Sequence, residues 1–370
     1  MEGTFRFADE LGPLKIVHVH LPSLELKGVL VVDNVAMGPS IGGLRMAPDV
    51  STAECFRLAR AMTLKNAAAA LPHGGGKSVL YGDPKMPRDR KEELVRAFAC
   101  ALREFDQYIF GPDMGTDEQC MAWVKDEIGR SVGLPKEIGG IPLDEIGATG
   151  YGLSQATEVV MEHCDFELEG ARIVLQGFGA VGKHTARFLA EKGALLVAAA
   201  DSRGTIHNPN GLDIEELIAL KEQGGCVADY EGGKALASED VIGIECDIWI
   251  PAARPDVINE KTVDRLNTRL VVQGANIPFT AGAEKTLHER GILCLPDFIA
   301  NAGGVICGAM EYRGATCSVA FDTIREKVRR NTALVLEQAS AKGIPPRAAA
   351  TNLARERLQK AMRLKRWGLF

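Results

Sequence analysis

One segment constrains this chain more than any other: ARIVLQGFGAVGKHTARFLAEKGALLVAAADS, residues 171–202. An apolar run hands over to Gly177-x-Gly179-x-x-Gly182, a helical pattern follows, and a second apolar run ends at Asp201, 19 residues past Gly182. Each glycine has its own physical task. The first permits a tight turn, the second lets backbone approach a pyrophosphate, and the third lets the helix pack on the strand. The helix opening at Ala180 and Val181 offers unpaired N–H groups to phosphate charge. The segment therefore predicts a Rossmann-type dinucleotide site, the alternative being a glycine turn without a ligand. Asp201, followed by Ser202, is placed to accept from the adenosine ribose hydroxyls. A carboxylate there repels a 2′-phosphate and favours NAD, whereas Arg203 is able to pair with that phosphate and leaves NADP open.

The rest of the chain fits an α/β protein. After residue 202, the apolar runs ECDIWIPAA, RLVVQGAN and ILCLPD are spaced for further crossovers, which predicts a doubly wound parallel sheet. Before it, KIVHVHLP and KGVLVVDNV read as a strand pair, and GKSVLYGDP and QYIFGPD as strands. STAECFRLARAMTLKNAAAAL, RKEELVRAFACALREF and TDEQCMAWVKDEIGR read as helices. GLPKEIGGIPLDEIGATGYG, with six glycines and two prolines, is read as the connection between two domains. The last forty residues read as amphipathic helix. Their basic cluster Arg355, Arg357, Lys360, Arg363, Lys365 and Arg366 is read as a solvated helix face rather than a site for an anionic partner.

Composition narrows the function classes. A chain of 370 residues with 46% hydrophobic and 25% charged side chains buries a substantial core in two domains. A net charge of −6 argues against nucleic acid or an anionic membrane as partner. There is no apolar run of membrane-spanning length, and MEGTFRFADELGPLK lacks the plan of a signal peptide, so the expected location is cytoplasmic. Nine scattered cysteines without a C-x-x-C pair suit reduced core residues. No metal is expected, since no ligand cluster stands out and His18 and His20 read as ordinary strand residues.

Two lysines and an aspartate carry the chemistry. LPHGGGKS is not a phosphate loop, because Leu71 stands where that motif needs glycine. Instead Lys77 follows three glycines where a helix hands over to a strand, a place where backbone approaches a small substrate; a solvent-facing loop lysine is the alternative. In the preceding helix, with a Ser51-x-x-Glu54 capping box, Lys65 continues a stripe of Cys55, Leu58 and Met62. A lysine on a buried face calls for an anion such as a substrate carboxylate, unless it snorkels at the helix end. Two ammonium groups in one cleft would lower each other's pKa, suiting one as a general base. Asp113, at a strand end, is placed to shuttle protons, or else is a turn residue or helix cap.

Taken together, IGGLRMAPDVSTAE, MTLKNAAAALPHGGGKSV, GPDMGTD, GATGYG, QGFGAVG, DIWIPAA, VVQGAN and PDFIANAGGV resemble the glutamate, leucine, phenylalanine and valine dehydrogenases, in order from Gly38 to Tyr312. The resemblance implies NAD(P)-dependent reversible oxidative deamination of an L-amino acid to its 2-oxo acid and ammonia. It implies that Lys77 is the catalytic lysine, activating water against an imine carbon, that Asp113 relays protons, and that Lys65 binds the α-carboxylate. Gly42 and Gly43 join the substrate site; Thr149, the glycine loop, Ala275 and Asn276 join the cofactor site; Asn301 lies on the nicotinamide and substrate side. It further implies a substrate and oligomerisation domain over 1–142, a dinucleotide domain over 143–330, C-terminal helices over 331–370 returning to the first domain, and a homo-oligomer.

The departures bear on substrate. Where glutamate enzymes of the family carry a lysine to hold the side-chain carboxylate, this chain has Ile41, and Met62 replaces their glutamine. Gly308 stands where glutamate enzymes use serine and leucine-type enzymes valine, and Gly111 leaves room beside Asp113. An apolar wall does not hold a buried carboxylate without a large desolvation penalty. The expected substrate is a branched or aromatic amino acid, as in the leucine and phenylalanine branch. Glutamate is the alternative, because GPDMGTDEQCMAW and GATGYG are closer to that branch; a catalytically silent nucleotide sensor on the same fold is another.

Overall fold

The computed structural model describes Gly3 and residues 5–365. Arg366 of the basic cluster and Met1, Glu2 and Thr4 of the N-terminal stretch lie outside the described residues. The chain forms two compact units: one holds 1–142, 305–320 and the stretch from 352 onward, the other 143–304 and 321–351. The C-terminal helices thus do not go to the first domain as one piece, since 331–351 belong to the second unit. Likewise 305–320, expected in the dinucleotide domain, belong to the first.

The first unit runs β1 (Lys15–Leu21), β2 (Leu26–Asn34), β3 (Ser40–Ala47), α1 (Thr52–Ala68), β4 (Gly74–Tyr81), α2 (Arg88–Ala101), β5 (Tyr108–Pro112) and α3 (Glu118–Ile128). Its strands form a sheet in the order β1-β2-β4-β3-β5. The first two pairings are antiparallel, and β3 lies parallel to both β4 and β5. Strand β3 was not anticipated, because Gly42 and Gly43 are poor strand formers. Close packing demands them: a Cβ on Gly42 would lie 1.8 Å from the Gly76 carbonyl oxygen. The triglycine before Lys77 is likewise no loop but the start of β4. A Cβ on Gly74 would meet Asn34 O at 1.8 Å, and one on Gly75 would meet Thr63 N of α1 at 2.0 Å.

Helix α1 begins as expected, with Ser51 Oγ accepting from Glu54 N at 3.1 Å. The box is not closed, because the Glu54 carboxylate pairs with Arg45 instead, at 2.7 Å. Its buried stripe is Cys55, Ala59, Thr63 and Asn66, while Leu58, Met62 and Lys65 form a half-buried row alongside. Against the other elements, Leu44, Leu80, Phe98, Tyr108 and Phe110 build the core; full burial of each such side chain is worth about 1.5–3 kcal/mol. The basic cluster is more than a solvated face. Arg357 donates to the Ala67 and Ala68 carbonyls at 3.2 and 2.5 Å, satisfying the C-terminus of α1.

The second unit adds α4 (Ala148–Met161), β6 (Arg172–Gln176), α5 (Ala180–Ala190), β7 (Leu195–Ala200), β8 (Thr205–His207), α6 (Ile214–Glu222), β9 (Lys234–Leu236), β10 (Ile248–Pro251), β11 (Leu270–Val272), α7 (Ala281–Glu289), β12 (Leu293–Leu295) and α8 (Asp297–Ala300). Helices α9 (Gly303–Tyr312), α10 (Cys317–Lys342) and α11 (Pro346–Leu364) complete the chain, each divided between the units. The sheet order is β12-β11-β10-β6-β7-β8-β9. Five strands are parallel, but β8 and β9 are antiparallel additions, so the sheet is mixed rather than wholly parallel. Only Asp201–Gly204 separate β7 from β8, too short for a crossover and right for a hairpin. GATGYG, read as linker, enters α4. Its glycines allow close helix packing, a Cβ on Gly150 falling 2.7 Å from Thr185 N of α5.

Among the described residues no helix is long and apolar enough to cross a membrane, and no group of three or more His, Cys, Asp or Glu side chains is disposed to hold a metal ion.

Candidate active site

In the first unit, strand register alone gathers the reactive groups. Gly43 of β3 pairs with Gly111 of β5, and Leu44 pairs with Ser78 of β4, so Gly43 sits in one rank with Gly111 and Lys77. Alternation of side chains puts Arg45 and Asp113, each two places further along, on that same face. It is the face of α1, since Gly75, two before Lys77, is the residue that abuts Thr63.

Lys77 Nζ lies 2.5 Å from Asp113 Oδ2, and its side chain is only 8% exposed. Arg45 Nε donates to the same oxygen at 3.1 Å and is braced behind by Glu54. Burial pushes the Asp113 carboxyl up, but Lys77 and then Arg45 outweigh it, leaving the group below the usual carboxylate range. Asp113 is a turn residue as well: its N–H donates to Thr116 Oγ1 at 3.0 Å, and its carbonyl accepts from Thr116 N at 2.9 Å. Gly43 makes the meeting possible, because a Cβ there would lie 2.7 Å from Asp113 Cβ and 3.1 Å from Lys77 Nζ. Arg45 was missed from the sequence. The signal was available in period-two spacing from Gly43, once β3 is recognised as a strand.

Beside this pair stands an apolar wall. Ile41, Ile109 and Val132 are buried together, with Met62 packed against them. Ile41 and Ile109 pair directly, one rank of the same face away from Gly43 and Gly111, or ~6.6 Å along the strands. Gly111 and Gly308 both look at Val132: a Cβ on either would meet its Cγ2 at 3.5 or 3.6 Å, an ordinary contact. Lys65, one turn beyond Met62 on α1, is half-buried. Glu311 was also missed. Its carboxylate accepts from Leu134 N at 3.1 Å and Ile141 N at 2.8 Å, pinning the segment after Val132.

In the second unit a groove of about 850 Å³ collects Gly177, Gly179, Asp201 and Ser202, with Ser238, Arg254 and Asp256 on its walls. The three glycines sort by geometry. Gly177 has φ +109°, a Cβ on Gly182 would strike Gly177 O at 1.9 Å, and a Cβ on Gly179 would meet nothing within 4 Å. Ala180, Val181 and Gly182 form the first turn of α5, and Thr149 lies in the first turn of α4 beside Gly304. Ala275 N donates to Pro251 O at 2.7 Å; Asn301 Nδ2 donates to Asn276 Oδ1 at 3.1 Å. Thr149, Ala275, Asn276 and Asn301 are not among the groove's lining. Two buried acceptors, Gln176 Oε1 and Asn301 Oδ1, have no hydrogen-bond partner among the described residues. An open glycine at a helix start and buried acceptors awaiting donors fit a dinucleotide.

Asp201, on the groove's lining, is already engaged by donors of the protein itself. Its Oδ2 accepts from Lys221 Nζ at 2.6 Å and Val227 N at 3.1 Å; its Oδ1 accepts from Arg203 N at 2.8 Å, Gly204 N at 3.2 Å and Cys226 Sγ at 3.2 Å. Burial raises this carboxyl, yet Lys221 and the backbone donors carry it far below the ordinary range. It is therefore a charge-compensated hub, and its pairing with Lys221 weakens the electrostatic reason for favouring NAD over NADP.

Known proteins resemble this chain over nearly all of its length. Residues 14–130 match the model of the Glu/Leu/Phe/Val dehydrogenase dimerisation domain, and residues 139–366 that of the Glutamate/Leucine/Phenylalanine/Valine dehydrogenase family. A glutamate dehydrogenase of Aeropyrum pernix is 38% identical over 90% of this chain and 85% of its own. An NADP(+)-dependent glutamate dehydrogenase of Pyrobaculum calidifontis is 35% identical over 96% and 92%. A crystal structure of a hetero-hexameric glutamate dehydrogenase from Thermus thermophilus, in a Leu bound form, superposes with a TM-score of 0.85 at 31% identity over 95% of this chain and 90% of that one.

Proposed function

Because the chain belongs to the glutamate/leucine/phenylalanine/valine dehydrogenase family, it is an NAD(P)-dependent amino acid dehydrogenase acting on a CH–NH2 carbon, and we propose that its substrate carries a branched or aromatic apolar side chain. The observation that carries this reading is the wall of Ile41, Ile109, Val132 and Met62 one strand rank from the Lys77–Asp113 pair. A side-chain carboxylate against that wall loses its hydration without gaining a partner. Branched or aromatic carbon gains about 0.8 kcal/mol per buried methylene there, with Gly111 and Gly308 leaving volume for it.

In this reading Lys65 pairs with the substrate α-carboxylate. When bound, the nicotinamide dinucleotide supplies the acceptor for the hydride leaving Cα. Gly177, Gly179, Ala180, Val181, Gly182 and Ser202 hold its phosphates and ribose, and Thr149, Ala275, Asn276 and Asn301 its nicotinamide end. Lys77 takes the proton of the water that attacks the imine carbon of the oxidised substrate. Asp113, held ionised by Lys77 and Arg45, exchanges protons with Lys77 as ammonia leaves. Both NAD and NADP are accepted, because Lys221 cancels the charge of Asp201. The working form is a homo-oligomer, consistent with the dimerisation-domain match.

The second reading is glutamate, favoured by the names of the relatives at 35–38% identity. A spectrophotometric panel of L-amino acids with NAD and with NADP decides. Leucine or phenylalanine should exceed alanine and glutamate in kcat/KM, whereas a preference for glutamate ends the apolar reading.

A further inference from the structure

We propose that Arg347, at the start of α11 and remote in sequence from every dinucleotide motif, is a positioning residue for the dinucleotide site. Its guanidinium spans three acceptors: the Glu284 carboxylate of α7, Gln273 Oε1 at 2.7 Å and Asp297 Oδ1 at 2.9 Å. Gln273 and Asp297 begin the two segments that bear Asn276 and Asn301. They are also tied to each other, Asp297 N donating to Gln273 Oε1 at 3.3 Å, and Gln273 Nε2 reaches Glu284 at 3.1 Å. The two carboxylates are buried, and Arg347 is the cation that answers them.

What the clamp holds is strained backbone. The second oxygen of Asp297 accepts from Ile277 N at 2.8 Å, and Ile277 has φ +50°, a left-handed conformation that a β-branched residue rarely adopts. The Ile277 carbonyl in turn accepts from Asp256 N at 2.9 Å, and Asp256 is left-handed too, at φ +52°, on the wall of the dinucleotide groove. From the same aspartate, the Asp297 carbonyl accepts from Asn301 N at 2.7 Å, and Asn301 Nδ2 donates to Gly274 O and Asn276 Oδ1, both at 3.1 Å. A chain of direct hydrogen bonds thus runs from Arg347 to the groove wall and to the asparagine pair. Lysine, a single point charge, cannot span three acceptors as a planar guanidinium does.

This assignment rests on the reading of the groove as a dinucleotide site but not on the amino acid used, so its test is direct binding. NADH is titrated by fluorescence into the whole protein as wild type, Arg347→Lys, Ile277→Gly and the double variant, with melting temperatures recorded alongside. Arg347→Lys should weaken NADH at least tenfold. Ile277→Gly should stay within twofold of wild type, and adding it to Arg347→Lys should restore part of the loss, because glycine adopts the left-handed conformation without the clamp. An Arg347→Lys protein that melts earlier yet binds NADH within twofold of wild type would overturn the proposal, leaving Arg347 a structural residue. Should that variant give no soluble protein, Asp297→Asn loosens the same clamp without removing a cation, and the same two outcomes decide. Wild-type protein that binds NADH but turns over neither leucine nor phenylalanine would refute the substrate reading and leave this one standing.

Discussion

Lys221 Nζ sits 2.6 Å from Asp201 Oδ2, so the acid at the end of β7 is already paired with a cation. A carboxylate at this position discriminates against a 2′-phosphate only through uncompensated charge. Wild-type protein should therefore use NAD and NADP with kcat/KM values within about tenfold of each other, or about 1.4 kcal/mol. Lys221→Met exposes the charge and should move the ratio a further tenfold or so toward NAD. An unchanged ratio in that variant would show that Asp201 does not face the 2′ position at all.

The same pair has a pH signature. Asp201 titrates below the ordinary carboxylate range when folded, so it favours the folded state above about pH 4, its unfolded value, and that contribution fades as pH falls through the lowered folded value. Asp201→Asn should consequently melt below wild type at pH 7, with a gap that narrows as pH falls below about 4. A gap of constant size across that range would mean that lost hydrogen bonds, not charge, explain the variant.

Lys77→Ala and Asp113→Asn should each lower kcat by about 10²–10⁴-fold with NADH binding retained, whereas Lys65→Ala should chiefly raise the amino acid KM. Arg45 acts through Asp113, which it helps keep below its ordinary range. Arg45→Met should therefore shift the acidic limb of the kcat/KM profile to higher pH. Were Lys77→Ala to turn over at near wild-type rate, the general-base assignment would be lost.

The apolar wall predicts a graded response. Gly308→Val fills space beside Val132, and phenylalanine should suffer more than leucine, because the longer side chain needs that volume. Ile41→Lys supplies a cation where Ile41 and Met62 offer none, and should raise glutamate kcat/KM while lowering that for leucine. If the two substrates respond alike, the side-chain pocket lies elsewhere.

Much of this protein was legible in its sequence, for a reason that differs between its parts. The dinucleotide unit is a local device: the turn at Gly177, the helix start at Ala180 and the acid after β7 lie within about thirty residues, so their spacing alone reports a strand, a turn and a helix. Lys65 stands out because a lysine beside a buried stripe is costly without an anion, Lys77 because it follows three glycines, and Asp113 because it ends a strand. Tertiary structure decided what depends on partners remote in the chain. It packed Gly42, Gly43 and the triglycine into strands whose neighbours, backbone or side chain, leave little or no room for a Cβ. It brought Arg45 to Asp113 across the strand register. It closed Lys221 onto Asp201, turning a predicted ribose acceptor into a compensated hub, and it carried Arg347 to Asp297 across fifty residues. A sequence declares which residues carry charge and which lack a side chain; which charges meet is set by register and packing.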